Sequence, residues 1–115
     1  MSGFGRTGKW WAIEHFGVVP DIMTMAKALG GGQVPIAATI VTREVAKKFE
    51  GGFDEALSHS YTFEGHPICC AAALANLEIF ERERLVERSA TMGKYLFDQL
   101  QSLYKYPIVG DVRSG

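Results

Sequence analysis

Lys27 lies just after a short apolar run and just before the triplet Gly30-Gly31-Gly32. A free lysine amine is almost wholly protonated at neutral pH: with a reference pKa near 10.4, only about one in 2,500 carries a lone pair. The flanking side chains Met25, Ala26, Ala28 and Leu29 predict that this amine loses much of its hydration. Desolvation lowers the pKa of a lysine and makes its amine nucleophilic. The segment therefore predicts a reactive lysine at the end of a buried strand.

The three glycines predict a turn with room beside that amine, because glycine has no side chain. A desolvated lysine in a roomy pocket suits a Schiff base with a carbonyl compound, and pyridoxal phosphate is the commonest carbonyl cofactor of this kind. Taken alone, the segment also fits an ordinary alternative. Lys27 would then be a surface residue in the last turn of a helix, with Gly30 as the C-cap.

Three further blocks of sequence decide between these alternatives. The first runs from Gly3 to Ala12 (GFGRTGKWWA) and continues through Glu14-His15 to residues 17–24 (GVVPDIMT). The second is residues 60–67 (SYTFEGHP), followed by the alanine-rich residues 71–75, and the third is residues 109–113 (VGDVR). In order and spacing they resemble class III pyridoxal-phosphate-dependent aminotransferases, the omega-aminotransferase group. The resemblance extends from Met1 to Gly115.

The resemblance implies roles for two residues. Lys27 matches the family's Schiff-base lysine. Thr62 matches the threonine whose hydroxyl and backbone amide hold the cofactor phosphate, usually from the other subunit of a homodimer. A hydroxyl and an N–H can both donate to phosphate oxygens, and such charge-assisted bonds belong to the stronger class.

Other parts of the family's active site are expected to lie outside this chain. They are the aspartate that pairs with the pyridine nitrogen, the glycine-rich loop that binds phosphate within the same subunit, and an arginine that receives a substrate carboxylate. Met1 matches an internal position of the family, and the chain stops within the third block. We therefore expect an internal fragment: residues 1–84 from the cofactor-binding large domain and residues 85–115 from the start of the small C-terminal domain, both incomplete.

Composition excludes several other classes of function. The net charge is −1 with both signs mixed, so no electrostatic footprint for nucleic acid or an anionic membrane is expected. No apolar run approaches the roughly 18 residues needed to span a bilayer.

Two adjacent cysteines do not form a disulfide framework, so a cytoplasmic location is the default. Cys69 and Cys70 are predicted to be small core residues of a helix. Hydrophobic residues make up 47% of the chain, some of them available to pack against missing parts of the fold.

Strands and helices are predicted to alternate, which indicates an α/β fold, here part of the fold-type-I transferase large domain. Residues 22–25 and 35–41 are predicted buried strands. Thr42 is predicted to cap a helix ending near Glu50. Pro67 is predicted to begin a helix with an internal Glu78–Arg82 pair. A second helix is predicted over residues 85–104, and a new strand at residues 108–109.

Two other motifs are weaker. Residues 3–8 fit G-x-G-x-x-G and residues 3–9 fit most of a P-loop, but no strand feeds the loop and Trp10 replaces the hydroxyl that would bind magnesium. Asp54, His59 and Ser60 could be drawn as a hydrolase triad, yet the glycines of a nucleophile elbow do not flank Ser60. The histidines lack metal-ligand spacing with the cysteines.

We therefore expect the parent protein to transfer an amino group between an amine or amino acid and a 2-oxo acid. Lys27 would form the Schiff base and then act as general acid and base. Two alternatives remain open at this point. One is an aminomutase or decarboxylase of the same family, and the other is an inert fragment that acts only as a structural or interaction module.

Overall fold

A computed structural model of the chain describes residues 2–113, so Met1, Ser114 and Gly115, where the expected domain segments begin and end, lie outside it. The described chain divides into two compact units, of which one is Val19–Leu77 and the other comprises the remaining residues. The strands are β1 (Ile22–Met25) and β2 (Ala38–Val41), and the helices are α1 (Arg43–Ala46), α2 (Pro67–Arg82) and α3 (Leu85–Leu100). Four 3-10 helices accompany them: Ala12–Phe16, Lys27–Gly30, Lys47–Phe49 and Gln101–Lys105.

Strands β1 and β2 form a two-stranded antiparallel sheet in which Ile22 pairs with Val41 and Met25 with Ala38. The prediction of β1 is confirmed to the residue, whereas β2 begins three residues later than expected. The prediction that both strands are buried is wrong for this chain: Ile22 is 56% exposed and Ile40 is 52% exposed. Each strand of a two-stranded sheet is an edge, and a sheet this small cannot cover its own faces.

Thr42 occupies the N-cap position of α1, as predicted, and its carbonyl accepts a hydrogen bond from the N–H of Ala46 at 3.0 Å. Its side chain makes no capping bond, and the hydroxyl oxygen is buried without a partner. The predicted single helix is instead a four-residue α-helix followed by the 3-10 turn at Lys47–Phe49.

Helix α2 begins at Pro67, as expected, and helix α3 follows after Arg84 at φ +51°. The expected pair between Glu78 and Arg82 is not formed, since Arg82 pairs with Glu83 at 3.1 Å. The prediction that both cysteines are core residues is wrong for Cys70, which is exposed.

The strand predicted at residues 108–109 is wrong. Residues 107–108 form a turn, and Ile108 is 94% exposed. The backbone beyond them is held by a side chain instead: the Tyr104 hydroxyl donates to Asp111 Oδ1 at 3.0 Å and accepts from the N–H of Val112 at 3.1 Å. Helix α3 also ends earlier than predicted, at Leu100, and continues as the 3-10 turn Gln101–Lys105.

The N-terminal loop packs through aromatic rings. The Phe4 ring lies edge-on to Trp11 at a centroid distance of 4.9 Å, and Trp10 lies 5.8 Å from Phe80 of α2. Phe4 is one of four buried hydrophobic residues among residues 2–113, the others being Leu29, Ala73 and Val86. Aromatic pairs of this geometry add about 0.5–1.5 kcal/mol beyond burial.

Much apolar surface stays exposed. Across residues 2–113, twenty large hydrophobic side chains are exposed, and no side chain is completely buried. An autonomous domain of about this size buries roughly two-thirds of its unfolded surface. The exposed apolar side chains therefore form surfaces that further protein could cover. Among the described residues, no helix is both long and apolar enough to cross a membrane.

Candidate active site

Lys27 lies two residues beyond the end of β1, at the first position of the 3-10 turn Lys27–Gly30. Its backbone is left-handed, with φ +54°, directly after an extended Ala26. A side chain with a Cβ in this region costs about 1–2 kcal/mol. Such strain persists only where surrounding contacts hold it, and strained residues cluster at functional sites.

The turn after Lys27 is closed by its own backbone. The Lys27 carbonyl accepts from the N–H of Gly32 at 3.3 Å, and the Ala28 carbonyl accepts from Gly31 at 3.1 Å. The N–H of Gln33 donates to Gly30 at 3.0 Å. Successive bonds of this kind reverse the chain sharply, so Lys27 lies at the start of a tight loop between the two strands.

The expectation that all three glycines make room beside the amine is only partly correct. A Cβ at Gly30 would lie 2.8 Å from side-chain atoms of both Val34 and Ile36. At Gly31, where φ is +62°, it would lie 2.9 Å from Oδ1 of Asn76. Of these three glycines, only Gly32 has no heavy atom within 4 Å of the position that a Cβ would take. Two glycines thus allow the turn to pack closely against the protein, and one leaves open space.

Asn76, on helix α2, is a site residue that the sequence analysis missed. Its Nδ2 donates to the carbonyl of Ala28 at 2.7 Å and to that of Leu29 at 3.1 Å. It thereby ties the turn after Lys27 to a helix 47 residues further along the chain. One signal was available: asparagine is a poor helix former, and within an alanine- and leucine-rich helix it indicates a specific hydrogen bond.

The predicted desolvation of Lys27 is not found in this chain. The side chain is exposed, and no hydrogen bond or ion pair of its amine occurs within residues 2–113. The apolar neighbours pack elsewhere: Leu29 is buried, at 7% exposure, and the others are half-buried. Within the described residues, the apolar neighbours of Lys27 therefore do not shield its side chain from solvent.

Thr62 lies in a turn that leads into helix α2. The N–H of Glu64 donates to Tyr61 at 2.9 Å, and that of His66 donates to Phe63 at 3.2 Å. Thr62 is exposed, so its hydroxyl is accessible. Within the described chain no hydrogen bond joins Thr62 to Lys27. The two predicted site residues therefore lie on separate segments of the unit Val19–Leu77, both open to a ligand.

The weaker motifs have structural explanations. His59 Nε2 pairs with the Tyr61 hydroxyl, and the His59 ring makes no hydrogen bond to Asp54 or Ser60 within residues 2–113. In the N-terminal G-x-G-x-x-G, Gly8 approaches α3 so closely that a Cβ would lie 2.8 Å from Ala90 Cβ. That glycine serves packing against a helix, not an approach to phosphate.

The sequence matches the family described as Aminotransferase class-III over residues 1–115. It is 48% identical over 114 residues to an adenosylmethionine-8-amino-7-oxononanoate aminotransferase from Anoxybacillus flavithermus, covering 97% of this chain and 25% of the relative. It is also 48% identical over 105 residues to an acetylornithine aminotransferase from Archaeoglobus fulgidus, covering 91% of this chain and 26% of the relative.

Solved structures agree. A Bacillus anthracis aminotransferase has a TM-score of 0.91 and 48% identity, covering 98% of this chain and 26% of that one. An (S)-enantioselective omega-transaminase from Thermomicrobium roseum has a TM-score of 0.88 and 42% identity, covering 98% and 25%.

This similarity to solved aminotransferases identifies the chain as a segment of the transaminase fold, which confirms the predicted fold class. The chain belongs to the class III aminotransferase family. It spans about a quarter of the length of the curated relatives it matches.

Proposed function

We propose that these residues serve a pyridoxal-phosphate-dependent transaminase, which moves an amino group between an amine or amino acid and a 2-oxo acid. The observation that carries the proposal is the backbone of Lys27. It is strained, bonded into a tight turn and left with an exposed amine, in a chain whose relatives are named as aminotransferases. Phe4 and Arg84 also have a left-handed backbone, so the support comes from its combination with the bonded turn and the exposed amine.

The residues present fit the cofactor in their chemistry. An exposed amine can bind an aldehyde covalently, and an exposed threonine hydroxyl can donate to phosphate. The open space at Gly32 gives a bulky group room near Lys27. When bound, pyridoxal phosphate supplies an electron sink for charge developing at the substrate carbon. Lys27 and Thr62 are the two residues of this chain assigned to hold it.

Lys27 has two successive tasks in this proposal. Its amine would hold the cofactor covalently and would give way to the amine of the substrate. In its free form the same amine would act as general acid and base, holding and moving the proton of the substrate carbon. Positioned proton transfer of this kind contributes typically about 10²–10⁴-fold to a rate. It requires the Lys27 backbone to stay fixed while the side chain swings.

A homodimer is the proposed assembly, with Thr62 reaching the cofactor of the neighbouring subunit. The segment around Thr62 supports this, because its large apolar side chains are exposed: Phe53 at 89%, Leu57 at 67%, Tyr61 at 68% and Phe63 at 76%. These four side chains lie within eleven residues of sequence, and large exposed apolar patches typically mark interaction sites. We also propose that residues 1–84 belong to the large domain and residues 85–115 to the small one, and that the protein is cytoplasmic.

An inert fragment is the second candidate, favoured for this polypeptide alone by the exposed Lys27 and by its short span relative to its relatives. For the amine of Lys27 to be desolvated in an active enzyme, residues outside this chain would have to cover it.

The test is borohydride reduction of a full-length protein carrying these residues, after loading with pyridoxal phosphate. Peptide mass mapping should find the reduced cofactor on Lys27. It should be absent in Lys27→Ala and retained in Lys47→Ala, a matched exposed lysine. Fixation on another residue, or none, would refute the assignment. Product analysis with a 2-oxo acid acceptor then separates a transaminase from an aminomutase or a decarboxylase.

A further inference from the structure

We propose that Asn76 is a positioning residue for Lys27, holding the left-handed lysine in place through the two carbonyls that follow it. The proposal rests on the assignment of Lys27 to the cofactor. It concerns a residue on a different element, which need touch neither cofactor nor substrate.

The side chain of Asn76 bridges two neighbouring backbone carbonyls. A single carboxamide nitrogen of Asn76 reaches two consecutive carbonyls, those of Ala28 at 2.7 Å and Leu29 at 3.1 Å. A carboxamide nitrogen carries two N–H donors, so each carbonyl can receive one. Asn76 is itself part-buried. Loss of its donors would remove the bond to the Leu29 carbonyl, while the Ala28 carbonyl would keep the N–H of Gly31.

The two hydrogen bonds of Asn76 are made to the residues directly after the strained Lys27. Lys27 at φ +54° would relax toward negative φ if the residues after it were free to turn. Upstream, the N–H of Leu29 already donates to Ala26 at 3.2 Å, which ties the turn to the end of β1. Asn76 adds the connection to helix α2. The backbone of Lys27 is therefore held between a strand and a helix, which sets the direction of its Cα–Cβ bond and leaves the rest of the side chain free to move.

Gly31 supports the same arrangement. Its missing Cβ would lie 2.9 Å from Oδ1 of Asn76, so the glycine lets the carboxamide lie flat against the turn. The Ala28 carbonyl accepts from both Gly31 and Asn76, which joins backbone and side chain in one network. A residue whose only task was filling space would not need two aligned donors.

The experiment compares Asn76→Leu and Asn76→Asp in the full-length protein. Leucine keeps the approximate size and aspartate the shape, and neither a hydrocarbon nor an ionised carboxylate can donate. Ala73→Gly is the matched control, because it weakens the same helix at a buried position and leaves the donors intact. If one of the two Asn76 variants fails to fold, the comparison uses the other Asn76 variant.

The first readout needs no cofactor. Hydrogen–deuterium exchange of the apoprotein, followed by mass spectrometry, should show residues 27–33 exchanging roughly tenfold faster in both Asn76 variants, the size expected for losing such bonds. Residues 22–25 of β1 should be unchanged, and Ala73→Gly should leave residues 27–33 near the unsubstituted rate.

The second readout is kinetic. A displaced lysine should lower kcat by roughly ten- to a hundredfold with KM nearly unchanged, because misplacement affects the proton transfer more than substrate binding. Unchanged exchange in residues 27–33 would overturn the proposal, and so would faster exchange with an unaltered kcat, which would make Asn76 merely structural. If borohydride labels Lys27 while exchange is unchanged, only the role of Asn76 falls. If Lys27 is never labelled, the proposed function falls and the positioning role falls with it.

Discussion

Gly8 in the N-terminal loop lies directly against Ala90 of helix α3: a Cβ at Gly8 would approach the Ala90 Cβ to 2.8 Å and its Cα to 3.0 Å. The φ of Gly8 is +78°. Both space and backbone conformation therefore require glycine at this position. Gly8 and Ala90 are 82 residues apart in sequence, so no local pattern shows this contact.

Gly8→Ala should destabilise the protein by about 2–5 kcal/mol, the sum of a left-handed penalty and an overpacking penalty. Gly17→Ala is the matched control, since Gly17 has φ +65° but nothing within 4 Å. It should cost only about 1–2 kcal/mol. Thermal unfolding of both variants measures the difference, and equal losses would show that close packing at Gly8 has no energetic weight.

Lys27→Gly should yield a more stable protein than Lys27→Ala, by about 1 kcal/mol, because glycine adopts φ +54° without a Cβ clash. Both variants should lack transaminase activity. Melting temperatures of the two apoproteins give the comparison. Equal stability would mean that the backbone relaxes once the lysine is removed.

Thr62→Val should weaken cofactor binding by roughly ten- to a hundredfold, the effect of removing one hydrogen bond to a charged phosphate. Valine has the shape of threonine without the hydroxyl, and Thr62→Ser restores the hydroxyl on a smaller side chain. Titration of apoprotein with pyridoxal phosphate, followed by fluorescence, measures both. Wild-type affinity in Thr62→Val would exclude a phosphate contact from this hydroxyl.

Asp111 should titrate below its ordinary pKa of 3.8, since ion pairing with Arg113 lowers the pKa most and hydrogen bonding from Tyr104 lowers it further. A lowered folded-state pKa means that the folded protein binds this proton less readily than the unfolded chain. The stabilisation is therefore complete above pH 3.8 and is lost as the pH falls through the lower folded value.

Carboxyl NMR titration checks this effect. The pKa of Asp111 should move back toward 3.8 in Arg113→Ala and, by a smaller amount, in Tyr104→Phe. A larger shift in Tyr104→Phe would show that the hydroxyl, not the guanidinium, is the dominant partner.

Local sequence determined the elements on which the candidate site is built. Strand β1 and helix α2 follow from an apolar run between turn signals and from a proline at a helix start. The position of Lys27 between β1 and a glycine turn follows in the same way. Each depends on neighbouring residues, whose conformational preferences act over a few positions along the chain.

Only the tertiary structure decided the contacts between distant segments. The Tyr104 hydroxyl holds the backbone where the sequence indicated a strand. The left-handed backbone of Lys27, its exposure and the identity of the two carbonyls that Asn76 bonds are likewise unpredictable from neighbouring residues. Strain, burial and hydrogen bonding at a residue depend on which atoms from elsewhere in the chain come to lie beside it. The periodicity of the sequence does not show which atoms these are.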